Sequence, residues 1–184
     1  MTDKRALRRH LRAARAAFGT HVVIMPDALR DRLMPGMVIA AYVPIGGEVD
    51  PAPLVAAARA AGCTIALPHV VDRATPLRFL NAAGTLSDGP FGLRQPAADA
   101  ATLVPDIILT PLVGFDRQGN RLGQGAGHYD RAFADHPAAW RIGLAYSVQE
   151  IPALVPDPWD VPLHAILTEQ EWIVPMPPAP SLPS

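Results

Sequence analysis

Residues 37–68 constrain this chain most. "MVIAAYV" (37–43) is an apolar run of the length and composition of a buried strand, and "TIALP" (64–68) is a second. Between them lie the turn "PIGGE" and the helical segment "PAPLVAAARAAG" (51–62), with proline in its first turn and glycine just past its end. A strand–helix–strand unit of roughly 30 residues argues for a parallel pair joined by a right-handed crossover.

The flanking segments extend that pattern. Thr2 is the expected N-cap of a helix over about residues 3–18. On that helix Leu7, Leu11, Ala14 and Phe18 share one stripe, and Lys4, Arg8, Arg12 and Arg15 share an adjacent one. A short helix is expected at about 26–34, stopped by Pro35-Gly36. "PLRFL" (76–80), "PDIILTPLVGF" (105–115), "WRIGLAYS" (140–147) and "HAILT" (164–168) read as further strands, and "DGPFGLRQP" (88–96) as a loop. A helix is expected to begin near Tyr129. The sum is one α/β domain of three layers over 1–174. The tail 175–184 has five prolines in ten residues and is expected to be disordered or extended.

Composition narrows the function classes. The net charge of −1 and scarcity of aromatics argue against nucleic acid as a partner, although six of the sixteen Lys and Arg lie in the first fifteen residues. An RNA-binding role for that basic helix is the weakest alternative. The single cysteine, Cys63, excludes an internal disulfide and fits the core. No apolar run reaches the length of a membrane span, and the N-terminus lacks the apolar core of a signal peptide. A soluble cytoplasmic protein without membrane attachment is expected, with an Arg-rich organellar transit peptide as the minor alternative.

The stretch "FDRQGNRLGQGAGHYDR" (115–131) carries the chemistry. It follows a buried strand and precedes a helix, where ligands bind in open α/β sheets. Gly123, Gly125 and Gly127 allow positive φ and close approach to backbone N–H groups, and Arg121 offers a planar fork for phosphate. The spacing is that of neither common phosphate loop. A glycine-rich turn without a ligand is the alternative. Asp130 and Asp160 would suffice for Mg²⁺ shared with phosphate oxygens, or are helix-end and turn acids. Lys4 and Arg8, one helical turn apart, can reach a common anion, or form a solvated basic face. Glu48, past the strand 37–43, is a ligand-facing or a capping acid.

Taken together these segments resemble the 5-formyltetrahydrofolate cyclo-ligase family. The 115–131 stretch is similar to its signature. "KRALR" (4–8) resembles its nucleotide-binding segment, and "YVPIGGEVDPAPL" (42–54) its substrate-binding turn. "FGLRQP" (91–96) and "WDVPLHAILTE" (159–169) match two later blocks in order. The resemblance implies helices on both faces of a mixed, largely parallel sheet. It also implies a reaction in which the formyl oxygen of 5-formyltetrahydrofolate is phosphorylated from ATP, with Mg²⁺. N10 then attacks the activated carbon, and 5,10-methenyltetrahydrofolate forms as phosphate leaves.

The resemblance assigns roles residue by residue. Lys4, Arg5, Ala6, Leu7 and Arg8, with Arg121, Leu122, Gly123, Gln124, Gly125, Ala126, Gly127, His128 and Tyr129, would bind ATP. Val43, Glu48 and residues 124–128 would meet the folate. Asp130 and Asp160 would hold Mg²⁺, and Arg121 and Lys4 would act in phosphoryl transfer. A monomer with 5-formyltetrahydrofolate and ATP as its ligands is expected. The chain departs from the family pattern at Pro51, Ala126, His128 and His164. The departures at 126, 128 and 164 motivate the alternative of a non-catalytic paralogue that binds folate or nucleotide.

Overall fold

The computed structural model describes residues 3–175. Helix α1 (Lys4–Phe18) begins one residue later than Thr2 would set it. Asp3 is the cap, its Oδ1 accepting the N–H groups of Arg5 at 2.9 Å and Ala6 at 3.1 Å. Thr2 lies outside the described residues, as does the tail from 176 onward. Helix α2 (Asp27–Arg30) is shorter than expected, because the chain tightens at once into the turn bonds Arg32 N–H to Leu29 O and Leu33 N–H to Arg30 O.

The remaining elements are β1 (Val38–Ala40), α3 (Ala52–Ala60), β2 (Thr64–His69), β3 (Arg78–Asn81), β4 (Leu86–Asp88) and β5 (Arg94–Pro96). They continue as β6 (Ile107–Pro111), β7 (Gly114–Phe115), β8 (Arg121–Leu122), α4 (His128–Asp135), β9 (Trp140–Leu144), β10 (Ala165–Leu167) and β11 (Trp172–Ile173). Seven strands form the main sheet in the order β11-β10-β9-β6-β1-β2-β3. All neighbours are parallel except the two edge pairs, β10–β11 and β2–β3. The parallel pair expected from 37–68 is present as β1 and β2, within the mixed, largely parallel sheet that the resemblance implies.

Side-chain alternation builds the three layers. Ile39, Ile65, Leu67, Leu109 and Ile142 point to one face, where Leu29 of α2 and Leu54 and Ala58 of α3 cover them. Ala40, Ala66, Ile108 and Ile166 point to the other, against Ala132 and Phe133 of α4. Helix α1 packs outside this sandwich, with Leu11 buried among Val113, Leu122 and Leu154.

Two local expectations are corrected. The segment 88–96 is not a loop throughout: β4 and β5 pair antiparallel as a separate hairpin, joined by a 3₁₀ turn at Pro90–Gly92. Its strands are short, polar and joined through Gly-Pro, and the pairing is closed by Arg94 Nη2 donating to Leu86 O at 2.8 Å. Strand β11 was not expected because two residues on a sheet edge carry no periodicity.

β1 lies between β6 and β2, so the chain leaves it to one side and later returns on the other. That reversal opens a crevice beyond the carboxyl ends of β1 and β6.

Candidate functional site

A cavity of about 660 Å³ opens at this reversal. Its walls include the start of α1, the segment after β1, the end of β2 with the segment after it, the β4–β5 hairpin, the glycine loop with the start of α4, and the 157–160 loop.

The glycine loop is prepared by a hairpin. Asp116 is fully buried between β7 and β8. Its Oδ1 accepts the N–H groups of Gln118 and Asn120, each at 3.0 Å, and its Oδ2 accepts that of Leu154 at 2.8 Å. This acid shapes the hairpin turn and does not line the cavity. Beyond β8, Gly125 (φ 104°) and Gly127 (φ 68°) take left-handed conformations that a side chain would strain. Gly127 caps α4 without any side-chain hydrogen bond, so the leading N–H groups of the helix remain available to an anion. The whole run Arg121–Asp130 lines the cavity.

Helix α1 reaches the same space. Arg8 Nε donates to Gly123 O at 2.8 Å, pinning the loop. Lys4 Nζ lies 2.6 Å from Asp157 Oδ2 and 3.7 Å from Asp160 Oδ2. Arg5 is exposed, and Ala6 and Leu7 sit on the helix outside the cavity lining, Leu7 packing near Leu11. Asp157 was not anticipated: one acid in a turn gives no sequence signal of what faces it.

Arg121 and Asp130 form a partly buried ion pair, with the guanidinium of Arg121 4.8 Å over the Phe133 ring. Burial pulls Arg121 down from its usual range, against the charges of Asp130 and Asp160. Burial likewise pushes Asp130 up, and the nearby Asp160 charge adds to the rise while Arg121 opposes it. Among the described residues no group of three or more His, Cys, Asp or Glu is arranged to hold a metal alone. Asp130 and Asp160 fit a divalent cation that takes its other ligands from phosphate oxygens and water.

Glu48, 7 % exposed, lines the same cavity. Glu48 Oε2 accepts from Ile45 N–H at 3.2 Å, closing its own turn, and Oε1 accepts from Gln124 Nε2 at 3.0 Å. Tyr42 steadies the turn by donating its hydroxyl to Val49 O at 2.7 Å. Burial pushes the Glu48 carboxyl up, against its hydrogen bonds and the charges of Arg15 and Arg12. Val43 lines the cavity beside it.

The unusual positions resolve into distinct environments. His128 Nδ1 lies 3.2 Å from Arg131 Nη2, and a guanidinium can only donate, so Nδ1 accepts and Nε2 carries the proton of the neutral ring. That Nε2 is buried without a partner. Ala126 lends its carbonyl to Arg131 Nη1 at 3.1 Å. Pro51 precedes α3 as its N-cap residue. His164 accepts the N–H of Arg141 at 3.0 Å and stands outside the cavity lining. No helix among the described residues is long and apolar enough to cross a membrane.

Comparison with known proteins gives a consistent result. The family model described as the 5-formyltetrahydrofolate cyclo-ligase family matches residues 1–169. The 5-formyltetrahydrofolate cyclo-ligase of Escherichia coli (strain K12) is 33% identical over 146 residues, covering 73% of this chain and 80% of that protein. The enzyme of the same name from Mycolicibacterium smegmatis is 36% identical over 153 residues, covering 76% and 77%. Among solved structures, the 5,10-methenyltetrahydrofolate synthetase of Aquifex aeolicus superposes with a TM-score of 0.70 at 26% identity, over 100% of this chain and 97% of that one.

Proposed function

The chain belongs to the 5-formyltetrahydrofolate cyclo-ligase family, and from that premise we propose that the cavity beyond β1 and β6 is where it turns over folate and ATP. The activity is ring closure of 5-formyltetrahydrofolate to 5,10-methenyltetrahydrofolate, a carbon–nitrogen ligation of folate metabolism. The observation that carries the assignment of the site is that Glu48 and the Arg121–Asp130 pair line one cavity, with Glu48 hydrogen-bonded to Gln124 of the glycine loop.

A formamide carbon is a weak electrophile and its oxygen a poor leaving group. Phosphorylating that oxygen solves both problems, and the protein's task is then alignment and charge neutralisation. Glu48 is suited to accept N–H groups of the pteridine, with Val43 giving apolar contact. The glycine loop and the start of α4 offer N–H groups to the triphosphate. Lys4 and Arg8 add cations from α1, and Arg121 is fixed by Asp130 beside the transferring group. Asp130 and Asp160 would hold Mg²⁺, which when bound neutralises charge shared between the phosphates. N10 then attacks the formyl carbon, and the C–O bond breaks as phosphate departs carrying the formyl oxygen.

The working unit is proposed to be a monomer. Cytoplasmic action without nucleic acid or membrane partners goes with the near-neutral charge. Purified protein with Mg²⁺, ATP and 5-formyltetrahydrofolate should release ADP in step with methenyl product. Saturable binding of either ligand without turnover would support the non-catalytic reading instead.

A further inference from the structure

Arg15 has no part in the chemistry above, yet among the described residues of α1 it is the buried cation, 4 % exposed. Its guanidinium bridges two pieces of backbone. Nη2 donates to Gly46 O at 2.7 Å, and Nη1 donates to Leu112 O, just past β6, at 3.3 Å. Gln149 Nε2 holds that Leu112 carbonyl from a third side at 2.9 Å, so one end of the bridge is fixed. The other end lies under the turn that carries Glu48. A Cβ placed on Gly46 would stand 3.7 Å from Arg15 Nη2, and one on Gly47 4.0 Å from Nε, with both glycines at positive φ. Nε itself is buried without a partner.

A buried guanidinium is costly unless its charge and donors are answered. Two carbonyls and the charge of Glu48 are what answer it here. We propose that Arg15 is the positioning residue of the pteridine subsite: through the Gly46 carbonyl it fixes the Ile45–Glu48 turn, and it sets a buried cation beneath the Glu48 carboxylate. This rests on the reading that Glu48 meets the folate. The charged and titratable groups around Glu48 are Arg12 and Arg15 from α1, Tyr42 beyond β1 and Tyr129 of α4. Gln124 contributes a neutral donor from the loop. The tyrosines are held neutral by burial, so Arg15 and Arg12 are the cations that favour the charged form of Glu48, partly offsetting its burial.

The test uses the full chain with Arg15→Met, Arg15→Lys and Glu48→Gln, comparing both KM values and the pH profile of kcat/KM for folate. Arg15→Met should raise the folate KM about tenfold with the ATP KM within about twofold, and move the acid limb of the profile to higher pH. Arg15→Lys keeps the charge without the planar fork, so the acid limb should stay in place while the folate KM rises. Equal rises in both KM values with an unmoved acid limb would overturn the proposal. Should Arg15→Met fail to fold, an Arg15→Lys variant with wild-type folate KM would overturn it alone. If Glu48→Gln leaves the folate KM unchanged, the reading of Glu48 falls and this proposal with it. If Glu48→Gln raises that KM and neither Arg15 variant does, only the proposal for Arg15 falls.

Discussion

Lys4 and Asp157 form an ion pair, Nζ to Oδ2 at 2.6 Å, that ties the first turn of α1 to the loop carrying Asp160. The cation assigned to phosphate is therefore already shared between two carboxylates. Asp157 competes with an incoming phosphate for it. Because the pair is partly exposed, the competition is worth about 0.5 kcal/mol, or about twofold in affinity. Calorimetry should show ATP binding about twofold tighter in Asp157→Asn and about tenfold weaker in Lys4→Ala. Weakening of both to the same extent would mean that Asp157 orients Lys4 and does not compete for it.

Glu48 trades stability for function. Its folded carboxyl is raised above the usual value, chiefly by burial, so ionisation is disfavoured in the folded state. The stability this group contributes is complete below its unfolded pKa and is lost as pH rises through the folded one. Glu48→Gln should then melt higher than the parent at pH 8, with the difference shrinking as pH falls through the folded pKa, while its folate KM rises. A lower melting temperature at pH 8 would show that the charge is a net stabiliser.

His128 has the opposite sign. Burial, then the charge of Arg131, holds it below the usual histidine value, with Asp72 opposing and Arg73 reinforcing. Its contribution is present above the unfolded pKa and is lost as pH falls through the folded one. Melting curves from pH 7.5 downward should show a loss on the acid side that His128→Phe reduces. Parallel pH profiles for the two proteins would refute this account of the histidine.

Arg121 and Asp130 should be separable by stability. Arg121→Met leaves a partly buried carboxylate without its cation and should cost up to about 3 kcal/mol in urea unfolding. Asp130→Asn keeps a hydrogen-bonding group in place of the charge; it should fold with a smaller loss yet show no turnover. Turnover like that of the parent at low Mg²⁺ would remove Asp130 from the metal assignment.

Much of this was legible in the chain. The 37–68 unit specified a parallel pair, and strand burial followed from apolar runs at β1, β2, β6, β9 and β10. Of the three glycines expected to allow positive φ, Gly125 and Gly127 take it and Gly123 does not. What stayed hidden depends on tertiary partners. Arg15 read as one more member of a basic stripe, because helical spacing does not tell which edge of a stripe turns inward. Asp157 and Asp116 are acids whose partners arrive from distant segments. The β4–β5 hairpin is stabilised by its own pairing and an arginine–carbonyl contact, with little apolar periodicity to reveal it.

The most direct measurement follows one atom. 5-Formyltetrahydrofolate labelled with ¹⁸O in the formyl group is turned over with unlabelled ATP in unlabelled water, and the released phosphate is weighed by mass spectrometry. If the cavity delivers the formyl oxygen to the triphosphate end, each phosphate carries one ¹⁸O. Methenyl product formed with unlabelled phosphate, the label passing to water, would contradict phosphoryl transfer to the formyl oxygen in this site.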